Sequence, residues 1–355
     1  MKLKKFFAGV LAAAMMLTVG ATAAFADVGA TTPVTNDGNG TFTITKKYAA
    51  ENENTFAPAE TFKLEQTAKS GKQMSVSYNG VVPDLKTVAG ESDGIVGVVS
   101  FTTESGDDQT GNFTIGLPKY DGVGVFTYTL KEVDATNAGI KNDGRTFTVT
   151  VYATQGDDGI ETGVTVHEGT SKGTKVTSID NKFQAGALTI HKDVKGSMGD
   201  KAYEFPFTVT LSSAKPVTAA LRVNGETSTV KFEKASEAAT EYTATFTFNL
   251  SNGKDYTIGN IPYNVTYTVS ENGETNGELT VGSGDNAVKY DVEYSNNNGT
   301  KVEGATATVT VTNTAGDVVI DTGVILDNAP YIALLAIVAI GGVALMLNKR
   351  RRDEE

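Results

Sequence analysis

Threonine alternates with apolar residues over much of this chain. The runs TFTITKKY (41–48), GVFTYTLKEV (124–133) and RTFTVTVYAT (145–154) have the period of a β-strand with one buried face. YEFPFTVTLSS (203–213), YTATFTFNLSNG (242–253), VTYTVSENG (265–273) and TATVTVTN (306–313) continue the pattern. Clusters such as NDGNG, ESGDDQTG and SNNNG separate the runs and read as turns. No amphipathic helix stands out between the two ends. The pattern predicts an all-β chain of two β-sandwiches in tandem.

The pattern also repeats. FTITKKY at 42–48 is echoed by LTIHKDV at 188–194, TYTLKE at 127–132 by TYTVSE at 266–271, and SIDN at 178–181 by TVTN at 310–313. A Lys-strand, a Glu-strand and an Asn-strand thus recur in one order, a weak internal duplication. The boundary falls near NKFQAGALTI (181–190), so the expected domains are residues 27–183 and 184–317.

Parity along each strand assigns side chains to faces. Lys46 is in phase with Phe42 and Ile44, Glu132 with Phe126, Tyr128 and Leu130, and Asn181 with Ile179 and Phe183. In the second half Lys192 follows Leu188 and Ile190, Glu271 follows Val265, Tyr267 and Val269, and Asn313 follows Val309 and Val311. Each half therefore turns a Lys, a Glu and an Asn toward its core. Burying an unpaired ammonium or carboxylate costs several kcal/mol, so these groups should meet. One outcome is a buried Lys–Glu ion pair hydrogen-bonded to the Asn. The other is chemical. Desolvation lowers a lysine pKa and raises a glutamate pKa. A neutral amine can then attack the Asn carboxamide while a protonated Glu polarises the carbonyl and moves the proton as ammonia leaves.

The two ends change the picture of where this happens. Residues 1–26 have a basic start (Lys2, Lys4, Lys5), an apolar stretch and the ending Ala24-Phe25-Ala26, so they read as a signal peptide cleaved after Ala26. Residues 329–347 are apolar and uncharged, and Lys349 to Arg352 follow, the layout of a membrane span with its basic flank inside. The expectation is an exported, surface-held protein. Of the formal charge of −12 over 355 residues, the signal peptide contributes +3 and the part beyond Thr322 is balanced at four basic and four acidic residues, so the exported part carries −15. That acidity argues against nucleic acid as a partner. With no cysteine, neither disulfides nor thiol-ligated zinc are available.

Just before the apolar stretch lies Val319-Ile320-Asp321-Thr322-Gly323. It has the layout of a sortase motif, in which the enzyme cuts between Thr and Gly and hands the Thr to an amine. It departs from the common Leu-Pro-x-Thr-Gly form at Val319 and Ile320, and without Pro the usual bend is not built in. Residues 318–355 are thus expected to form a cell-wall sorting signal; a plain single-span membrane protein is the alternative.

The ordered pairing of TITKK with TYTLKE and SIDN, then TIHKD with TYTVSE and TVTN, resembles the isopeptide-forming domains of Gram-positive major pilins. The resemblance implies immunoglobulin-like sandwiches of the collagen-adhesin B type. It implies bonds Lys46–Asn181 and Lys192–Asn313, with Glu132 and Glu271 as their catalysts. It also implies a lysine acceptor shortly before the first bond-forming Asn. Here Lys175 precedes Asn181 by six residues and Lys172 lies close by; Lys175 is the preferred choice, with both side chains expected at the surface.

Two histidines, His167 and His191, do not form a metal-ligand spacing, and no Gly-rich phosphate loop follows a strand. No metal or cofactor is expected. The sequence reading is a pilus shaft subunit rather than an enzyme, the internal bonds being single-turnover self-modification. Its expected partners are a sortase, further copies of itself, and a tip or base pilin. The alternatives are a monomeric wall-anchored adhesin for a host or microbial ligand, and a surface hydrolase, for which no carboxylate pair stands out.

Overall fold

A computed structural model describes residues 34–35, 40–73, 81–156, 159–273, 277–284, 287–295 and 300–316. The signal-peptide residues with Ala26, the motif Val319–Gly323 with Thr322, and the apolar stretch 329–347 lie outside these. Among the described residues every regular element of two or more residues is a β-strand, and no helix is long and apolar enough to cross a membrane.

The principal strands of the first half are β1 (Thr41–Ala50), β2 (Glu60–Gln73), β3 (Ile95–Phe101), β4 (Gln109–Gly116), β5 (Gly124–Glu132), β6 (Thr146–Gly156), β7 (Gly159–Glu168) and β8 (Ser178–Phe183). The second half holds β9 (Ala185–Lys195), β10 (Phe205–Ser213), β11 (Tyr242–Leu250), β12 (Asp255–Pro262), β13 (Thr266–Glu271), β14 (Gly277–Val281), β15 (Val288–Tyr294) and β16 (Thr306–Ala315). Two-residue strands extend the sheet edges. In the first half one sheet runs β7-β6-β5-β2-β3, with Val34–Thr35 beyond β7, and the other runs β4-β1-β8, with Ile140–Lys141 beyond β8. In the second half one sheet runs β12-β9-β16-β15-β14 and the other β11-β10-β13.

Alternation explains the cores. Along β1, Phe42, Ile44, Lys46 and Tyr48 are buried while the residues between them are less so. Along β5 the buried set is Phe126, Tyr128, Leu130 and Glu132. These side chains join Phe62, Phe113, Phe147 and Ile179 in one apolar core, and a second is built around Leu188, Phe205, Phe207, Val269 and Val311. β6 departs from the single buried face that its Thr-alternating sequence predicts. Thr148 and Thr150 are buried as well, and Thr148 Oγ1 donates to Gly169 O.

In both sandwiches the first and last strands lie side by side and run parallel, β1 with β8 and β9 with β16. A parallel pair cannot be joined by a hairpin. The rest of each sandwich must therefore be the connection between its two ends.

One residue, Gln184, separates β8 from β9, and side chains knit the junction. Asn260, 1 % exposed and with φ of 59°, accepts from Phe56 N at 2.8 Å and donates to Phe56 O at 3.2 Å and Ala220 O at 2.9 Å. Asn tolerates this left-handed backbone better than most residues. Arg222 pairs with Glu104 at 2.7 Å, and Thr218 donates to Asn137 Oδ1. Gly139, at φ of 78°, packs against Gln184 O and Pro262, where a Cβ would approach within 2.8 Å of either.

Candidate functional site

The six polar residues turned inward by parity are all buried. Lys46, Lys192 and Asn313 are 0 % exposed, Asn181 and Glu271 1 %, and Glu132 3 %. They form two clusters. In each, Lys comes from the first strand, Asn from the parallel last strand, and Glu from the facing sheet.

The register is the same in both. Lys46 lies opposite Ile179, two residues before Asn181, and Lys192 lies opposite Val311, two residues before Asn313. Because side chains alternate with a period of two, that offset returns Lys and Asn to one face, diagonal to each other.

In the first cluster Lys46 Nζ donates to Glu132 Oε1 at 2.6 Å and sits 4.3 Å from the Phe62 ring centroid. In the second, Lys192 Nζ lies 3.2 Å from Glu271 Oε1 and 4.5 Å from the Phe205 ring centroid. Asn313 Nδ2 donates to the same Glu271 oxygen at 3.1 Å. Asn313 Oδ1 and Glu271 Oε2 are buried without a hydrogen-bond partner among the described residues.

Burial pushes both lysines below the ordinary ammonium range against the attraction of their glutamates, Lys192 to about 8. Burial likewise raises both glutamates, against the neighbouring ammonium and hydrogen bonds from the Asn. The two directions converge on a neutral amine beside a neutral acid, since desolvation penalises each charged form. Proton transfer within such a pair leaves a nucleophile, a proton donor and a carboxamide in one dry pocket.

Several neighbours escaped the sequence reading. The loop between Ile140–Lys141 and β6 reaches over the first cluster, and Asp143 N–H donates to Glu132 Oε2 at 3.3 Å and Asn181 Oδ1 at 3.1 Å. Asn181 Nδ2 donates to Asn142 Oδ1 at 3.3 Å. In sequence this stretch, NDGR (142–145), looks like a plain polar turn, and no periodicity marks it.

Lys175, expected at the surface, is half-buried and bridges antiparallel to His167, whereas Lys172 is exposed. His191 is part-exposed and paired with Asp255. No cluster of His, Cys, Asp or Glu suited to a metal ion occurs among the described residues.

Fold and site together define a class: an all-β chain whose two sandwiches each bury a Lys–Glu–Asn cluster between their first and last strands. Residues 41–184 match the family described as the Spy0128-like isopeptide containing domain, and residues 186–315 match a domain family of unknown function, DUF7601. A protein named pilin from Streptococcus pyogenes serotype M1 is 27 % identical over 319 residues, covering 87 % of this chain and 90 % of that one. The major pilin structure from Streptococcus pyogenes aligns over 79 % of this chain and 99 % of its own, at 20 % identity and a TM-score of 0.46. The T-13 major pilin of the same species aligns over 77 % and 96 %, at 19 % identity and a TM-score of 0.44. The chain is thus similar over most of its length to a streptococcal pilin, and its first sandwich matches an isopeptide-containing domain family.

Proposed function

We propose that this chain is the repeating shaft subunit of a cell-surface pilus on a Gram-positive bacterium. In this reading residues 27–183 and 184–317 are its two domains. Each domain closes on itself through one amide bond, Lys46–Asn181 or Lys192–Asn313, with Glu132 or Glu271 as the acid–base group. The single observation that carries the reading is the repetition of one buried Lys–Glu–Asn arrangement, in one register, at the paired ends of both sandwiches. A buried ion pair could occupy one such place for packing reasons alone. Two copies, each with a carboxamide on the adjacent strand, favour a reaction.

Between subunits, a sortase would cleave after Thr322 and pass its acyl group to a lysine of the next copy. Lys175 remains the proposed acceptor by its position before Asn181. Its half-buried state requires that the sortase approach along the β7 edge, while Lys172 offers a freer amine. The mature product would be a wall-held homopolymer, with a tip or base pilin at its ends.

Wall extracts of cells carrying the intact chain should show a ladder of multimers that survives boiling in detergent. Thr322→Ala should abolish the ladder and Lys175→Ala should reduce it to one band. A single band from unaltered cells would instead support a monomeric wall-anchored adhesin. A ladder that persists in Lys175→Ala moves the acceptor elsewhere.

A further inference from the structure

The two clusters are not equivalent at the atom where negative charge would develop. When Lys46 Nζ bonds to Asn181 Cγ, the carbonyl π electrons move onto Oδ1. When Lys192 attacks Asn313, they move onto that Oδ1. Asn313 Oδ1 has no hydrogen-bond donor among the described residues. Asn181 Oδ1 already accepts the Asp143 N–H at 3.1 Å. On the other side of the same carboxamide, Nδ2 donates to Asn142 Oδ1, which also accepts Ala135 N–H at 3.1 Å. A donor on the oxygen and an acceptor on the nitrogen leave the Asn181 amide one orientation.

The loop that supplies these groups is anchored. Arg145 donates through Nε to Asp143 Oδ1 at 2.8 Å and through Nη2 to Asp143 Oδ2, a bidentate fork. Arg145 Nη2 also donates to Ser178 O at 3.1 Å, and Asp180 N–H to Asp143 Oδ2 at 3.3 Å. The fork therefore fastens the loop to β8, the strand that carries Asn181. It also sets a cation against the Asp143 carboxylate, whose charge favours the ammonium form of Lys46.

We propose that the Asp143 backbone N–H is an oxyanion donor for the Lys46–Asn181 bond, with Asn142 holding the leaving nitrogen and Arg145 positioning the loop, and that no described residue of the second sandwich plays this part for Asn313. The inference rests on the proposed internal bonds. The step balances: Lys46 Nζ–Cγ forms, Cγ–Nδ2 breaks, and the proton lost by Nζ travels through Glu132 to Nδ2, which departs as ammonia. Asp143 N–H holds the transient oxyanion and Asn142 Oδ1 keeps Nδ2 on the side facing away from Oδ1. A preorganised donor of this kind contributes about a hundredfold or more in rate.

The test uses the chain purified unfolded, refolded by dilution and quenched in acid at intervals. Intact mass counts the ammonia lost, and digestion with mass spectrometry assigns each bond. The Lys192–Asn313 bond is the internal clock, and protease resistance follows folding of the first sandwich separately. Asp143→Ala keeps the N–H and loses the fork; Asp143→Pro loses both, because proline has no backbone donor. We expect Asp143→Pro to form the first bond about a hundredfold more slowly than Asp143→Ala, with the second bond unchanged. Equal rates in two folded variants overturn the inference. Should Asp143→Pro leave the first sandwich protease-sensitive, Asn142 decides. Asn142→Ala should slow the first bond about tenfold, the loss of one hydrogen bond, and Asn142→Asp, which keeps an accepting oxygen, should restore it to within a few-fold. No slowing in Asn142→Ala overturns the inference. If the unaltered chain loses no ammonia at either site, the internal bonds themselves are refuted.

Discussion

An ammonium and a carboxylate buried 2.6 Å apart, as at Lys46 and Glu132, titrate as one unit rather than as two residues. The reactive form, neutral Lys with protonated Glu, holds the same number of protons as the ion pair. Its share of the population is therefore constant between the two proton losses of the unit. Below that range an added proton keeps the lysine an ammonium, and above it the glutamate has lost its acidic hydrogen. Bond formation should follow a flat-topped profile that falls at both ends. For the second sandwich the alkaline fall should lie near pH 8, the value to which burial brings Lys192. Rates of ammonia loss from the refolding chain measure this, and a rate climbing steadily beyond pH 8 would remove the acid from the mechanism. Against the mass calculated from its own sequence, the unaltered protein should be short by two ammonia, Glu271→Ala and Glu132→Ala by one each, and the double variant by none. A deficit of two ammonia that persists in both single variants would show that the glutamates are spectators. Parity alone placed all six residues in the cores. Asn142, Asp143 and Arg145 were not legible, because a loop's contribution depends on where the chain returns, and NDGR carries no period.

Parallel pairing of first with last strand determines what a bond at these positions can do. Residues 46 and 181 enclose nearly the whole first sandwich, as residues 192 and 313 enclose the second. By the loop-entropy argument used for disulfides, closing so long a loop is worth roughly 5 kcal/mol. Asn181→Ala keeps the Lys46–Glu132 pair and removes the carboxamide that would be attacked, together with its hydrogen bonds to Asp143 and Asn142. It should destabilise the first sandwich by about that amount and leave the second almost untouched. Calorimetry resolves the two if the first transition alone moves down in temperature. An unmoved first transition would leave the ion pair as the whole of the interaction. The strands bearing Lys, Glu and Asn were readable because apolar residues recur at every second position along them. β2 was not, since its sequence ETFKLEQTAKSGKQ offers only Phe62 and Leu64 as a periodic signal. Its strand character comes from pairing with β3 on one side and β5 on the other. Ladder hydrogen bonds of that kind are made by neighbours, not by the segment itself.

Across the molecule, the junction joins the two sandwiches by more than the single residue Gln184. Asn260 satisfies both backbone groups of Phe56, Glu104 pairs with Arg222, and Asn52 donates to Tyr263 Oη at 2.8 Å. None of these contacts could be read from the chain, because each links residues more than a hundred positions apart. In the proposed polymer a pull entering at Lys175 reaches Asn181 after six residues, passes through Gln184 into β9, and crosses from Lys192 to Asn313 before leaving toward Thr322. The sequence by itself determined the all-β character, the doubled order of Lys, Glu and Asn, and their inward orientation, since side-chain alternation is a local property of an extended backbone. Only the tertiary structure decided that the Lys and Asn strands are adjacent and parallel, and that each Glu faces them from the opposite sheet. It alone set the Asp143 N–H over Asn181 Oδ1 and left Asn313 Oδ1 without a donor among the described residues. Those facts depend on how distant segments meet while burying their apolar faces, and a local pattern leaves that meeting open.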